Sequence, residues 1–516
     1  MEAVENEQLN NNSNGNEKSI KKNYIYNLIA KLFALLIPIL ITPFLARKLE
    51  ADGNGTLSFI SSIVSYFILA ANIGIETYGQ RIISIHRNEK EVLKRIVIEI
   101  FLLRLFLTVI LAISYYLIFV FILTENTLLY SLFGLTLIFT AVDFTWYFQG
   151  IEDFKILAIV NIISKLIYIP LIFVLVKTKN DLWIACLLTA MTTFLPFVLC
   201  VPKLMYNFRS IKISDKIRPF RHFKECMVYF IPTIAVQIYT VLDKTMIGLL
   251  VPGTYTEIVD GVEVIKKISY LENGYYEQAE KIVKLPLLLI TSLNIIMRSR
   301  ISYYYSTGKI EEIKETIKKS MSFSMCFSIP ICLGMIAIAK MFVPIYLGDG
   351  YDKCVTLMYI LSPILVIISI SNLLGTHYYT PFDMQRTSNK FLITGSIVNL
   401  ILNLILIRMY ASIGAAIASI VAELVVTFLY VLNARKFVKP ISFLITSIKY
   451  LIAGVLMFIP VFILNLKLDA TIINLCLIIA LGIFIYFITL LILRDKFLIN
   501  TIKSVFSKVR NKIKRG

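Results

Sequence analysis

The chain of 516 residues is strongly apolar and carries a large positive charge. Hydrophobic residues make up 58% of it and charged residues only 16%, with a net charge of +19. Soluble proteins usually contain about a quarter charged residues, so this composition excludes a soluble globular protein and indicates a membrane protein. The basic residues lie between apolar segments, where membrane topology explains them better than nucleic-acid binding.

Several classes of functional site are absent from the sequence. No glycine-rich loop followed by Lys-Ser or Lys-Thr occurs, which excludes a P-loop ATPase. The seven cysteines are scattered in or beside apolar segments without a CxxC pair and are expected to be small core residues. The histidines His86, His222 and His377 lack metal-ligand spacing. We therefore predict no metal site, no catalytic residues and no bound cofactor.

In chain order, a polar tail precedes a series of apolar runs. Residues 1–20 are rich in Asn and Glu and are expected to be disordered. A helix needs about 20 apolar residues to cross a bilayer. By that criterion we predict fourteen spans, at residues 24–45, 56–78, 96–122, 127–149, 156–177, 181–202, 225–250, 281–305, 321–343, 354–377, 387–407, 411–433, 446–465 and 470–493.

The distribution of basic residues predicts the orientation of these spans. The loop 203–224 and the tail 494–516 are rich in Lys and Arg, whereas acids outnumber bases in the long loop 251–280. Because basic loops stay on the cytoplasmic side, both termini are predicted to be cytoplasmic and the loop 251–280 external.

A similar order of segments occurs twice in the chain. Asp52-Gly53-Asn54-Gly55 and Glu272-Asn273-Gly274 are each interpreted as a turn that precedes an apolar run, then an arginine (Arg81 or Arg300) and a charged helix. The repeat of roughly 220 residues is typical of membrane transporters. We predict a disordered tail (1–20), an N-lobe with a basic linker (21–223), a C-lobe (224–435), two further helices (436–493) and a basic cytoplasmic tail (494–516).

Charged side chains inside the spans are the first candidates for function, because each costs several kcal/mol unless it faces a cavity or a partner. Four cations near mid-span would repel one another unless water or an anion lies between them. They predict a water-filled cavity for an anionic substrate, with a pyrophosphate as the natural fit. Arg104 and Arg300 lie nearer the interfaces and are expected to extend toward water. The four predicted substrate ligands are Lys31, Lys165, Lys244 and Arg298.

Acidic and amide side chains complete the candidate set. Asp143 and Glu423 are candidates for binding a coupling proton or cation, and equally for neutralising neighbouring lysines. The amides recur at helical spacing, so they predict either a cavity lining or hydrogen bonds between helices. They are Gln237, Asn161, Asn399 and Asn403.

Three segments resemble one known family. They are Asp143–Phe154 (DFTWYFQGIEDF), Asn273–Ile282 (NGYYEQAEKI), and Asn399–Ile407 followed by Ile413–Ser419 and Glu423. They are similar to segments of the polysaccharide repeat-unit flippases of the multidrug/oligosaccharidyl-lipid/polysaccharide superfamily. The chain departs from that pattern at Arg408, where relatives commonly have proline, and in the long loop 251–280.

The resemblance implies a fold and an activity. The fold is an all-α polytopic membrane protein of about 14 transmembrane helices, with two six-helix lobes in a pseudo-twofold arrangement around a cavity and two accessory helices. The implied activity is movement of undecaprenyl-pyrophosphate-linked oligosaccharide from the inner to the outer leaflet of the bacterial cytoplasmic membrane by alternating access. The implied partners are this substrate, the phospholipid bilayer and a polysaccharide polymerase with its co-polymerase; nucleic acid is not among them.

Other functions remain open from the sequence. A lipid II flippase also needs a cationic cavity and fourteen helices. A cation-coupled multidrug exporter has a similar architecture, but it usually carries organic cations, which inward bases disfavour. A membrane-embedded glycosyl polymerase or ligase is an enzyme that relies on external Arg or His residues, and loop 251–280 contains neither.

Overall fold

The structure, a computed structural model, describes the backbone of residues 2–123, 125–213, 215–259, 262–438, 440–495, 497–500 and 503. Side chains are described from residue 37 onward, apart from scattered later positions. The chain divides into two compact units, unit 1 (Met1–Val241) and unit 2 (Leu242–Gly516). The division lies inside a helix, whereas the sequence predicted a lobe boundary between residues 223 and 224. The predicted domain limits stay predictions.

The described part of unit 1 is built from helices joined by short turns. Proline residues occur inside several of them. Membrane helices tolerate proline because neighbouring helices can satisfy the backbone groups that it leaves without a hydrogen bond. The helices are α1 (Glu2–Asn72), α2 (Ile75–Ile85), α3 (Lys90–Tyr116), α4 (Thr127–Phe139), α5 (Thr145–Gly150), α6 (Phe154–Leu175), α7 (Leu182–Phe208) and α8 (Phe223–Leu250), of which the last continues into unit 2.

The described part of unit 2 consists of helices and one β-hairpin. The hairpin and the first helix after it replace the predicted external loop 251–280. The elements are β1 (Thr254–Val259), β2 (Val262–Lys267), α9 (Ile268–Lys284), α10 (Leu287–Ser306), α11 (Ile310–Tyr346), α12 (Asp352–Leu361), α13 (Ile364–Leu374), α14 (Gln385–Tyr410), α15 (Ser412–Ala434), α16 (Pro440–Lys467) and α17 (Ile472–Ile492). The two strands are antiparallel, with Thr254 opposite Lys267.

The two predicted repeat turns are helical, so that part of the prediction was wrong. In α1 the bend lies at Glu50, whose φ of 55° is left-handed, and Asp52–Gly55 follow inside the helix. Asn54 Nδ2 crosses the bend and donates to the carbonyl oxygen of Leu45 (3.0 Å). In α9, Asn273 Nδ2 donates to the carbonyl oxygen of Lys244 (2.7 Å). Both asparagines thus hold the end of the preceding helical segment, which supports the correspondence between the repeats.

Eleven helical segments in the described residues are long and apolar enough to span a membrane. They match the predicted spans from 56–78 to 181–202 and from 321–343 to 470–493, which lie inside them or extend past an end by at most two residues, together with the end of the span 24–45. The predicted spans 225–250 and 281–305 fall on helices with undescribed side chains, and the second is divided between α9 and α10 at Pro286. The disordered tail predicted for residues 1–20 falls on the first part of α1, where no side chain is described, and stays a prediction.

The outer surfaces of both units are apolar, as expected for contact with lipid. Large hydrophobic side chains are exposed on many helices, among them Phe106 on α3, Ile401 on α14 and Phe484 on α17. Soluble proteins rarely expose such continuous apolar surface. The last two helices belong to unit 2, since α16 packs along α11 and the Tyr486 hydroxyl of α17 donates to the Cys326 carbonyl oxygen (2.8 Å). In its described residues the chain is therefore a polytopic membrane protein built from helices and a single hairpin.

Candidate functional sites in the two units

A buried ion pair in unit 1 joins Arg104 on α3 to Asp143, just after α4. Arg104 is 1% exposed and donates from Nη1 to the Asp143 carbonyl oxygen (2.8 Å) and from Nη2 to its carboxylate (3.2 Å). The other carboxylate oxygen accepts the Thr145 backbone N–H (2.9 Å) and hydroxyl (2.6 Å). The expectation that Arg104 extends toward an interface was wrong, because a carboxylate within hydrogen-bonding distance compensates its burial.

The same arginine contributes to a polar pocket beside it. Arg104 Nη2 also donates to the amide oxygen of Asn72, and Asn72 Nδ2 in turn lies 3.3 Å from Glu76 Oε1. Asn72 and Glu76 border a cavity of about 220 Å³. We call it the α1–α2–α8 pocket, and its polar lining is Ser65, Asn72, Glu76, Thr77, Thr233 and Gln237.

A bend between α1 and α2 shapes this pocket. Gly74 has a φ of 77°, which L side chains rarely adopt. A Cβ at this position would lie 2.5 Å from the Cys226 carbonyl oxygen and 2.8 Å from the Phe230 amide nitrogen, both on α8. Glycine therefore permits the close approach of α8 that brings Thr233 and Gln237 to the pocket.

In unit 2, four donors surround the carboxylate of Asp243. This residue of α8 is 6% exposed. Its Oδ1 accepts the amides of Asn403 (2.6 Å) and Asn399 (3.2 Å), which are one turn apart on α14. Its Oδ2 accepts the Tyr276 hydroxyl of α9 (2.5 Å) and the Ser419 hydroxyl of α15. Four helices thus meet at one carboxylate.

Oxygen atoms are concentrated at this point. The amide oxygen of Asn399 accepts Asn403 Nδ2 (3.1 Å), while the buried amide oxygen of Asn403 has no hydrogen-bond partner among the described residues. A carboxylate beside an unpartnered amide oxygen can bind a proton or a hard monovalent cation, since both prefer oxygen. Within the described chain, no group of three or more His, Cys, Asp or Glu side chains could hold a metal ion.

The residue next to Asp243 belongs to a second charged network. Lys244 Nζ lies between the carboxylates of Glu277 and Glu280 on α9, 3.1 Å from the second. Glu277 also pairs with Lys281 (2.7 Å), and Glu280 with Lys284 (2.6 Å). Together with Asp243, three carboxylates balance three ammonium groups, so Lys244 neutralises protein acids instead of facing an open anion site.

The structure does not bring the four predicted cations together within one unit. Lys31 and Lys165 belong to unit 1, and Lys244 and Arg298 to unit 2. The side chain of Lys31 lies outside the described residues. Lys165 on α6 is half-buried, and Arg298 on α10 is exposed; neither has an acidic partner within 4 Å in the described part of the chain.

The remaining predicted residues occupy different environments. Asn399 and Asn403 are fully buried at Asp243, and Gln237 lines the α1–α2–α8 pocket. Asn161 donates to the Leu157 carbonyl oxygen of its own helix (2.8 Å). Glu423 on α15 is half-buried. For the two amides of α14, the structure thus gives the helix–helix hydrogen bonds that the sequence left as one of two alternatives.

Several important residues were missing from the predicted set: Glu76, Arg104, Asp243, Tyr276, Glu277 and Glu280. A signal for some of them was present. Asp243 and Lys244 are adjacent inside an apolar run, and Glu277 and Glu280 are each followed four residues later by a lysine. That spacing predicts paired charges on a helix, but the high acid content of the segment indicated an external loop.

Comparison with known proteins gives related sequences over most of the chain. A family model described as "Polysaccharide biosynthesis protein" matches residues 20–297, more than half of the chain. A "Putative O-antigen transporter" of Escherichia coli (strain K12) is 25% identical over 381 residues, which cover 70% of this chain and 84% of that protein. A protein of the same description from Shigella dysenteriae is 24% identical over 372 residues, covering 70% and 86%.

Two solved structures share the fold. One is described as "Lipid II flippase MurJ, inward closed conformation", with a TM-score of 0.65 and 16% identity, covering 92% of this chain and 99% of that one. The other is an inward-facing multidrug resistance MATE family transporter of the MOP superfamily, with a TM-score of 0.53 and 14% identity, covering 79% and 94%. At these identities the likeness shows a common fold and does not extend to the cargo.

Proposed function

We propose a function from this premise: the chain belongs to the polysaccharide biosynthesis protein family. It is a multi-pass membrane protein, and its relatives and fold neighbours are transporters and flippases rather than enzymes. We propose that it moves undecaprenyl-pyrophosphate-linked oligosaccharide repeat units from the inner to the outer leaflet of the bacterial cytoplasmic membrane by alternating access. The repeat units would serve assembly of a capsule, exopolysaccharide or O-antigen-type polymer.

The observation that carries this proposal is the buried charge in both units. In unit 1, Arg104 on the apolar helix α3 pairs with Asp143 just after α4, and in unit 2, Asp243 and Lys244 lie within the apolar helix α8. A structural scaffold of lipid-facing helices needs no such residues, because each is costly in a bilayer and is retained for a pathway or a partner. The charges support a transporter, and the names of the curated relatives support a lipid-linked sugar as the cargo.

We propose that a proton or a sodium ion drives the cycle. Asp143 and Glu423 are the coupling residues that the sequence favours, and the surroundings of Asp243 make it a third. An ion bound at Asp243 would compete with Asn403 and Tyr276, whose hydrogen bonds join α8 to α14 and α9. One ion could therefore shift the packing of several helices of unit 2 at once.

The substrate contacts and partners follow from the same proposal. Lys31, Lys165 and Arg298 remain the proposed ligands of the pyrophosphate, and Lys244 would join them only if its bonds to Glu277 and Glu280 opened. Both termini are proposed to be cytoplasmic. The repeat units delivered to the outer leaflet are proposed to pass to a polysaccharide polymerase and its co-polymerase.

The test is to delete the gene in a strain that makes such a polymer and to measure lipid-linked repeat units in each leaflet. We expect accumulation in the inner leaflet, relieved by the wild-type gene. Asp243→Asn keeps the size of the side chain but removes the charge, and should restore transport at less than about a tenth of the wild-type rate. The matched control is Asp352→Asn, at an exposed position in the first turn of α12.

Other results would support other functions. If repeat units cross normally while lipid II accumulates in the inner leaflet, the chain is a lipid II flippase. If both lipids cross normally and efflux of cationic dyes falls, it is a multidrug exporter. If Asp243→Asn and Asp352→Asn transport at equal rates, Asp243 does not couple an ion to transport. That result would leave the proposed cargo unchanged.

A further inference from the structure

The α1–α2–α8 pocket of unit 1 has a chemistry different from the cationic cavity that the sequence predicted. Among the described residues, its lining combines amides, hydroxyls and one carboxylate, that of Glu76, and includes no lysine or arginine. We propose that this pocket is a sugar subsite, which holds one neutral or amino sugar ring of the cargo and disfavours an acidic ring. The inference rests on the proposed function, because it assigns part of that cargo to a part of unit 1.

The side chains of the pocket are suited to sugar hydroxyls. A sugar hydroxyl is both a donor and an acceptor, as are amide and hydroxyl side chains, while a carboxylate accepts at several positions. The Gln237 amide and the Thr77 hydroxyl have no hydrogen-bond partner among the described residues, so both are available to a ligand. Pockets that recognise small molecules typically use a few such placed polar groups.

The neighbouring residues fix part of this lining in advance. Arg104 donates to the Asn72 amide oxygen, which leaves the amide nitrogen directed toward Glu76. Asp143 fixes Arg104 from the other side. The buried ion pair therefore orients a pocket residue, and a pre-oriented group loses less entropy when it binds a ligand.

The size of the pocket matches a small ligand. Its volume is about 220 Å³, below the roughly 300–1,000 Å³ that is usual for drug-sized ligands. A single sugar ring suits such a volume better than a complete repeat unit. The subsite would therefore contact one sugar of the repeat unit.

The charge of the pocket determines which ring is favoured. Glu76 is the charged residue among the described residues of the lining, and the Arg104–Asp143 pair behind Asn72 is neutral overall. On α2, Arg81 is directed elsewhere and donates to the Tyr229 hydroxyl. A sugar carboxylate would meet Glu76 with like charge, whereas a protonated amino group would pair with it.

The experiment compares three lipids that differ only in the sugar. Full-length protein in proteoliposomes would receive undecaprenyl pyrophosphate carrying one glucose, one glucosamine or one glucuronate, at equal concentrations. We expect the first two to cross about ten times faster than the glucuronate lipid. Glu76→Gln should reduce that difference to about twofold or less. Glu312→Gln, an exposed carboxylate on α11, should leave it unchanged.

A binding measurement with the same lipids and purified protein in detergent separates the two proposals. If the wild type moves all three lipids at equal rates and binds them equally, the subsite is refuted and the flippase stands. If it binds the glucosamine lipid more tightly than the glucuronate lipid but moves none, the flippase is refuted and the subsite stands. A preference that persists in Glu76→Gln would also overturn the role of this pocket.

Discussion

Arg104 and Asp143 form a deeply buried ion pair in unit 1, with 1% and 4% of their surfaces exposed. The guanidinium donates twice to Asp143 and once to the amide oxygen of Asn72, so it supports both the turn after α4 and the α1–α2–α8 pocket. A buried pair adds little net stability relative to apolar residues, but removal of one partner leaves an uncompensated charge.

Replacement of this arginine should therefore be costly. Arg104→Ala is expected to lower the free energy of unfolding by about 3–5 kcal/mol, because it leaves the Asp143 carboxylate buried without its cation. The matched control is Arg87→Ala, which breaks an exposed pair with Glu152 and should cost less than about 1 kcal/mol. Denaturant unfolding in detergent measures both, and equal losses would contradict the buried role of Arg104.

His222, which lies outside the candidate membrane spans, belongs to a second buried cluster of unit 1. Its Nδ1 is 2.7 Å from the Tyr78 hydroxyl and its Nε2 is 2.9 Å from the Glu99 carboxylate. A neutral imidazole satisfies both contacts, because Nδ1 can accept a hydrogen bond from the Tyr78 hydroxyl while Nε2 donates one to the Glu99 carboxylate. Burial lowers the pKa of His222, while Glu99 opposes that shift and Arg221 adds to it.

This environment predicts a loss of stability in acid. The unfolded chain has a histidine pKa of about 6.5, and the folded value lies below it, so the unfolded state binds more protons between the two values. The stabilising contribution of the neutral His222 should therefore be fully present above about pH 6.5. It should be lost as the pH falls through the pKa of the folded state. Melting temperatures between pH 5 and 8 should show this slope, and His222→Gln should reduce it. His86→Gln, which changes a less buried histidine, should leave the slope unchanged. Equal slopes in the wild type and both variants would refute the role of His222 in the acid sensitivity.

The bend between α1 and α2 is the element that brings α8 to the pocket. Gly74 supplies a left-handed residue there, and the α8 backbone occupies the space that a side chain would need. Gly308 also has a positive φ, of 70°, but among the described residues no atom beyond its chain neighbours lies within 4 Å of an added Cβ. A comparison of alanine substitutions at the two glycines therefore distinguishes the cost of backbone strain from the cost of a steric clash.

Alanine at the two positions should have different effects. Gly308→Ala is expected to cost about 1–2 kcal/mol from the left-handed backbone alone. Gly74→Ala adds the clash with Cys226 and should cost more, and it should also slow transport because α8 must move away from the pocket. Unfolding and flipping rates measured together test this, and a Gly74→Ala protein as stable and as active as Gly308→Ala would contradict it.

Helix α9 shows how far the sequence could predict an element. Its acids indicated an external loop, yet the helix is buried because Lys244, Lys281 and Lys284 compensate Glu277 and Glu280. The i,i+4 spacing within α9 was visible in the sequence. The pairing with Lys244 was not, since that residue lies on the helix before the hairpin.

At the scale of the whole molecule, the orientation in the membrane can be tested by labelling. Cys476 is the exposed cysteine among the seven, so Cys476→Ser gives a suitable background. In that background, Thr256→Cys in the hairpin should react with an impermeant maleimide in intact cells. Glu312→Cys at the start of α11 should react only after permeabilisation, because the positive-inside rule places it in the cytoplasm. The reverse pattern would invert the proposed topology.

The sequence by itself determined the membrane class, most span positions and the family resemblance. These depend on local properties, because the bilayer thickness fixes span length and the cost of burying charge fixes composition. Only the tertiary structure decided which charges pair and where cavities form. The donors to Asp243 lie between 33 and 176 residues away along the chain, and such contacts depend on how helices pack. Lys244 was therefore predicted from its position in a span, whereas its carboxylate partners became visible only in the folded chain.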